Sequence, residues 1–262
     1  IINNTASTTI YCGGVVGMIN VFTKSDKSAI YSDVYNSVNY GAVTLKSTVT
    51  NNAYLGGIVG CSGDDNLSPK ILSCENYGVI SADDGANITG SFALAGIGGY
   101  VTGIKGVALT EHNTNHALIT VKGNATVSDE LQMGGLFGNM KIPVNNSENK
   151  GMIHVEPTAK IATANVGGLL GVGLLRTYDK VKQTFTILNC VNNGEVKFGG
   201  SNLTETATNA VRIGGISGYT QGSPTNSINN GKITIYGTRN ANGTIGNADN
   251  DYKNGSYVIA GL

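Results

Sequence analysis

The chain has 262 residues with 17 basic and 17 acidic side chains, so the net field that draws proteins to nucleic acid or anionic lipid is missing. Its 38 glycines lack collagen's every-third spacing and come with only 4 prolines, and a 40% hydrophobic content without net charge excludes a disordered chain. No apolar run approaches the ~18 residues of a membrane span, and the first residues have neither the basic nor the apolar region of a signal peptide, so the chain reads as a mature or trimmed fragment without direct membrane insertion.

Taken in chain order, the predicted elements alternate between two motifs. Apolar-Gly-Gly-apolar-x-Gly opens at Cys12-Gly13-Gly14-Val15-Val16-Gly17 and recurs at Leu55-Gly56-Gly57-Ile58-Val59-Gly60, Leu94-Ala95-Gly96-Ile97-Gly98-Gly99, Met133-Gly134-Gly135-Leu136-Phe137-Gly138, Val166-Gly167-Gly168-Leu169-Leu170-Gly171 and Ile213-Gly214-Gly215-Ile216-Ser217-Gly218. Asn-x-Gly lies between these copies, at Asn39-Tyr40-Gly41, Asn76-Tyr77-Gly78, Asn149-Lys150-Gly151, Asn192-Asn193-Gly194 and Asn229-Asn230-Gly231, with Asn115-His116-Ala117 as a degenerate copy. Successive triplets are 37, 39, 34, 43 and 37 residues apart. Such self-similarity is the signature of a solenoid. Repeats begin near residues 11, 54, 93, 132, 165 and 212, with a truncated seventh at 258–262, so 1–262 is read as a single repeat domain belonging to a longer protein.

Each unit carries short β-branched runs bounded by Asn and Gly, such as 71–74, 78–82 and 92–99. Three short strands per unit make one triangular coil of an all-β parallel β-helix (β-solenoid), about six coils of roughly 38 residues; two rungs of about 20 residues is the alternative count. Asn-x-Gly is expected to form the corner between two strands, with Asn in the left-handed conformation, Gly at positive φ and the Asn residues stacked as a ladder. The residues flanking the glycine pair, such as Leu55 and Ile58, are both apolar yet three apart, which simple alternation places on opposite faces. Either the glycines bulge the strand or a loop covers its outer side. The first residues and 236–257 are the candidate caps.

Two residues before each motif Asn stands a small residue: Ser37, Cys74, Asn113, Ser147, Cys190 and Ser227. Cys74 and Cys190 thus share one repeat position three units apart, which argues against their pairing. Cys12, Cys61, Cys74 and Cys190 lack the CxxC spacing of a zinc site. A Cys61–Cys74 disulfide is one reading; buried free thiols are the expected one.

The six phased Gly-Gly copies, most literally Gly168-Leu169-Leu170-Gly171 and Gly135-Leu136-Phe137-Gly138, resemble the GLUG repeat of bacterial surface and secreted proteins. Proteins with such repeats include adhesin-like proteins of gut Bacteroidota and the non-catalytic part of immunoglobulin A1 proteases. The resemblance implies an extracellular or cell-surface setting and no catalytic residue in this segment.

The residues agree with a chain that is not an enzyme. The His-Glu-x-x-His helix of zinc peptidases is absent, and His112 and His116 stand in a turn-rich stretch where His116 fills the middle of a corner triplet. No metal and no cofactor is expected, since the repeated glycines match no phosphate-binding loop. A glycan-acting lyase or hydrolase of the β-helix type would need clustered carboxylates, and Asp64, Asp65, Asp83 and Asp84 on neighbouring segments are the candidates. Tyr40 and Tyr77 share one repeat position and are candidates for an outward binding ladder. The expected function is an adhesin, a stalk or a ligand-presenting module, with a host or microbial surface protein or glycan as partner and end-to-end or side-to-side self-association as a further mode. The alternatives are the glycan-acting enzyme and the non-catalytic region of an immunoglobulin A1 protease-like peptidase.

Overall fold

The computed structural model describes residues 8–20, 33–62, 69–103, 110–175, 177–178, 181–182, 185–199, 210–236, 238–239, 245–246 and 256–260. Among them there is no helix. Short strands stack coil upon coil into five parallel sheets, each taking its strands from successive repeats. The chain is therefore a parallel β-helix.

One coil shows the pattern. An inbound strand, Ala53–Gly56, is followed by an outbound strand, Val59–Ser62, a shoulder strand, Ile71–Leu72, a corner strand, Glu75–Asn76, a closing strand, Ile80–Ala82, and a lead-in strand, Asn87–Ile88, before the next inbound strand. Coils stack in matched register: Leu55 pairs with Cys12 below and Leu94 above, and Asn76 with Asn39 and Asn115. The coil thus has six short strands rather than three, because the glycine pair, a bend before the corner and a turn after the closing strand each interrupt a longer run. Two antiparallel pairs, Thr177–Tyr178 with Val181–Lys182 and Thr238–Arg239 with Ile245–Gly246, lie outside the stack.

The glycine pair is the inner tip of a fold-back. The inbound strand runs into the body, turns at the pair, and the outbound strand returns with its outer face against that of the inbound sheet. The last glycine of the motif allows this contact: a Cβ on Gly99 would lie 2.7 Å from the backbone nitrogen of Leu55, and one on Gly171 2.4 Å from that of Met133. Leu55 and Ile58 therefore both face inward, but into different cores. Leu55 joins Leu45, Ile80, Phe92, Leu94 and Ile119 between the inbound and closing sheets. Ile58 joins Val59, Ile71, Cys74, Ile97 and Phe137 between the outbound and shoulder sheets. The outer side of the inbound strand is covered by the returning strand, not by a loop. Full burial of such aliphatic side chains stabilises by about 1.5–3 kcal/mol each, so each added coil extends two cores at once.

The motif asparagines close the waist between those cores. Asn39, Asn76, Asn115, Asn149, Asn192 and Asn229 form one ladder, each side-chain Nδ2 donating to Oδ1 of the next coil's Asn at 2.8–2.9 Å. Within its own coil Asn115 Nδ2 also donates to the Ala117 carbonyl at 2.9 Å, and the Ala117 N–H donates to Asn115 Oδ1 at 3.2 Å. Both amide protons and both lone-pair directions are used, which is what a fully buried amide requires. The second glycine of each pair makes room for this amide: a Cβ on Gly96 would stand 2.3 Å from Asn115 Cγ, and one on Gly57 2.3 Å from Asn76 Cγ.

The ladder is as expected, but the left-handed residue is not the motif Asn. Positive φ occurs three residues earlier, at Asn36, Ser73, His112, Asn146, Asn189 and Asn226, with φ between 45° and 55°. The small residue that follows secures the bend, as where Cys74 Sγ donates to the Leu72 carbonyl at 3.3 Å and Ser147 Oγ to the Asn145 carbonyl at 2.7 Å. The bend falls there because the motif Asn must stay in a strand to aim its amide at the waist.

Asn115→Ala removes four hydrogen bonds and strands buried polar groups, with an expected cost of about 2–4 kcal/mol. Gly96→Ala is expected to cost about 1–3 kcal/mol by overpacking. Because the added methyl collides with the very amide the first variant deletes, the double variant should lose less than the two costs added, as read from urea unfolding followed by circular dichroism. Simple additivity would contradict the waist contact.

Candidate binding surfaces

The corner strands put every second residue outside, and the middle residue of each triplet forms a row along the axis. Tyr40 is 76% exposed and Tyr77 42%. Their rings stack at 5.2 Å with a 16° interplanar angle. His116 continues the stack, 4.2 Å from Tyr77 and 7° from parallel. Glu75, on the adjoining strand, fixes the row: its Oε2 accepts from the Tyr77 hydroxyl at 2.6 Å and lies 3.4 Å from His116 Nε2. The Tyr77 hydrogen bond, with His116 nearby, holds the Glu75 carboxyl below its usual range, and the same bond pushes the Tyr77 hydroxyl up. Farther along the axis the row turns polar: Lys150 pairs with Glu148 at 3.2 Å, Asn193 donates to Glu148 at 2.6 Å, and Asn230 donates to Asn193 at 2.9 Å.

The sequence-predicted carboxylates behave differently. Asp83 lies between two ammonium groups from neighbouring coils, 2.7 Å from Lys46 Nζ and 2.6 Å from Lys122 Nζ. Those bonds, led by Lys122, hold its carboxyl at about 2. It cannot carry a proton near neutral pH, as a general acid must. Asp84 is exposed in the turn beside it. Asp64 and Asp65 lie outside the described residues.

All four cysteines are free thiols. Cys61 faces the fold-back seam, whereas Cys74 packs in the second core, so the two point to different compartments of one coil. Burial pushes the Cys61 thiol up to about 12 and the Cys190 thiol up to about 11.

A second set of side chains is invisible to motif reading. The outer faces of the inbound and outbound strands meet in the seam, and the residues two before the first glycine and five after it fill it: Tyr54 with Cys61, Ala93 with Tyr100, Gln132 with Asn139, Arg212 with Tyr219. Tyr11, Tyr54 and Tyr100 make a row with centroids 5.7 and 5.0 Å apart. Lys141 caps it, with Nζ 2.6 Å from the Tyr100 hydroxyl and 5.0 Å from its ring centre. Beyond Tyr100 the seam is polar: Asn139 Nδ2 donates to Gln132 Oε1 at 2.9 Å, and Gln132 and Asn165 both donate to the Glu130 carboxylate. Arg212 Nη1 donates to Asn165 Oδ1 at 3.2 Å and its guanidinium lies 5.4 Å from the Tyr219 ring centre. Superposing the repeats on their glycine pairs would have put these residues in two columns, but only the fold-back shows that the columns face each other.

Asp83→Asn tests the Lys46–Asp83–Lys122 bridge. The folded carboxyl is depressed from 3.8 to about 2, so its contribution is present above about pH 4 and is lost as pH falls toward about 2. The variant should lose less than about 1 kcal/mol at pH 7, as exposed ion pairs do, and its stability should fall less steeply between about pH 4 and 2 in acid titrations. The thiols give a separate check: Cys61, Cys74 and Cys190 should resist a water-soluble disulfide reagent in the folded protein and react in denaturant. Rapid reaction of the native protein with three or more equivalents would contradict the stacked coils.

No protein-family model, no curated protein and no solved structure matches this chain.

Proposed function

We propose that this chain is a non-catalytic β-solenoid that presents a binding face as part of a surface-exposed or secreted bacterial protein, acting as an adhesin, stalk or ligand-presenting module. The observation that carries the reading is the Tyr40–Tyr77–His116 stack: a row of aromatic rings at coil spacing, exposed at Tyr40 and Tyr77, and held in place by Glu75. Aromatic rings fixed on a rigid scaffold contribute contact area with little loss of conformational freedom on binding. The resemblance of the glycine motif to the GLUG repeat belongs to the same reading and supplies the extracellular setting.

A glycan-acting enzyme needs two carboxylates free to exchange protons, and the engagement of Asp83 by Lys46 and Lys122 weighs against that alternative. In the other alternative, the non-catalytic region of an immunoglobulin A1 protease-like peptidase, the same module would position a catalytic domain.

The deciding experiment immobilises the protein, exposes it to immunoglobulins, mucin and mixed plant and host glycans, and reads the eluate by mass spectrometry. Intact bound material is expected, with recovery reduced about tenfold in Tyr40→Ala/Tyr77→Ala. Cleaved products, abolished when Asp64, Asp65, Asp83 and Asp84 are changed together to Asn, would overturn the non-catalytic reading.

A further inference from the structure

We propose that the corner face of the first three coils docks a protein partner that brings an arginine or lysine set among apolar side chains, with Glu75 as the charged centre and Val38, Tyr40, Tyr77 and Val79 as the apolar surround. The inference rests on the binding-module reading and names the partner class of the same site, a protein rather than a glycan.

The corner strands and the residues after them present three outward columns. The first runs Val38, Glu75, Thr114 in paired register, and the second is the Tyr40–Tyr77–His116 row. The third lies one residue before the paired closing strands and runs Ala42, Val79, Leu118. Val38 is 43% exposed and Val79 38%, on either side of the two tyrosines. Single apolar side chains on a surface are ordinary, whereas a contiguous group of them marks an interaction site. The group ends at the fourth coil, where the same columns bring Glu148, Lys150 and Met152.

Glu75 stands in the middle of this group, and its side chain is 43% exposed. Tyr77 and His116 both engage its Oε2, and the Tyr77 bond holds the carboxyl below its usual range, so the charge persists at neutral pH. Lys150, on the coil beyond, is engaged by Glu148 at 3.2 Å. Asp33 and Glu111, before and on neighbouring shoulder strands, add charge of the same sign. Covering a carboxylate with apolar surface is costly unless the partner supplies the opposite charge, and protein interfaces do so with arginine among aromatic contacts.

The ring geometry decides against a sugar. Tyr77 lies between Tyr40 and His116, with centroids 5.2 and 4.2 Å away and planes within 16° and 7° of parallel. Both of its faces are covered, so it offers an edge and a hydroxyl already bonded to Glu75, whereas a sugar needs an open ring face for its C–H groups. Nucleic acid and anionic lipid would meet the carboxylates as like charge.

Selection of phage-displayed random peptides of about twelve residues on the immobilised full chain tests this. The enriched peptides are expected to carry arginine or lysine flanked by apolar residues. Made synthetically, they should bind at least about tenfold more weakly to Glu75→Gln and to Tyr77→Ala, and more weakly as salt is raised. Exchanging the peptide's cation for glutamate should abolish binding to the native chain and restore it to Glu75→Lys, which a merely structural role for Glu75 would not do. Circular dichroism melting establishes that each variant is folded; Val79→Asp, at an exposed position, replaces Tyr77→Ala if that variant is not. Enrichment of no peptide, enrichment of peptides without a cation, or binding indifferent to Glu75→Gln overturns the proposal. If the pull-down recovers an intact glycan through Tyr40 and Tyr77 while no peptide is selected, the module reading stands and this inference falls. If neither experiment yields a bound species, both fall together.

Discussion

The contact on which the rest of the structure depends is that between a side-chain amide and a missing side chain. At the waist of every coil the motif Asn lies against the second glycine of the pair, so close that any Cβ there would overlap the amide carbon. This explains why the two motifs recur together, since each second glycine meets the Asn that follows it in the same coil, as Gly57 meets Asn76 and Gly135 meets Asn149. Neither is useful alone: the glycine pair without Asn leaves a void and unpaired backbone at the waist, and Asn without the glycines has no space. Because each amide also bonds the coils on both sides, the contact sets the stacking register as well as the cross-section.

The waist divides the interior into two cores and brings two stretches of strand back to back. That arrangement decides which outward positions are free to vary. On the corner strands an outward side chain meets its neighbours on the same strand and its counterparts one coil away but no opposing strand, so Tyr, His, Lys and Asn succeed one another without disturbing the ladder beneath. In the seam an outward side chain meets the opposing strand as well. Its residues vary as matched sets: Gln132 with Asn139, and Arg212 with Tyr219. The seam is thus where the sequence departs from repetition under the tightest physical constraint.

The repeat length, the stacking of parallel coils and the asparagine ladder could all be read from the spacing of Asn76, Asn115 and Asn149, because a solenoid turns sequence period directly into spatial period. The Tyr40–Tyr77 row was legible for the same reason, and His116 already occupied its register position. The fold-back was not legible. Leu55 and Ile58 looked contradictory because alternation assumes one core on one side of a strand, and the chain instead reverses between them so that each finds a core of its own. The left-handed corner was placed three residues late for a related reason: local preference allows Asn76 to take positive φ, but its amide is fully committed to the waist, and Ser73 makes the bend. Asp83 was legible as a loop carboxylate but not as a partner of Lys46 and Lys122, which come from neighbouring repeats and meet it only through stacking.

The two polar systems of the protein differ in how completely they close. In the ladder each amide bonds its own backbone, which fixes its orientation identically in every coil and satisfies all of its capacity. Repetition then costs nothing, since every coil supplies what its neighbours lack. In the seam the order is imposed from the ends by one carboxylate and one guanidinium, and donors and acceptors between them need not balance. They do not: the run from Glu130 through Gln132 ends on the Asn139 oxygen. A repeated interior can close its hydrogen bonding completely, whereas a sequence of unlike residues laid along the same axis leaves a remainder.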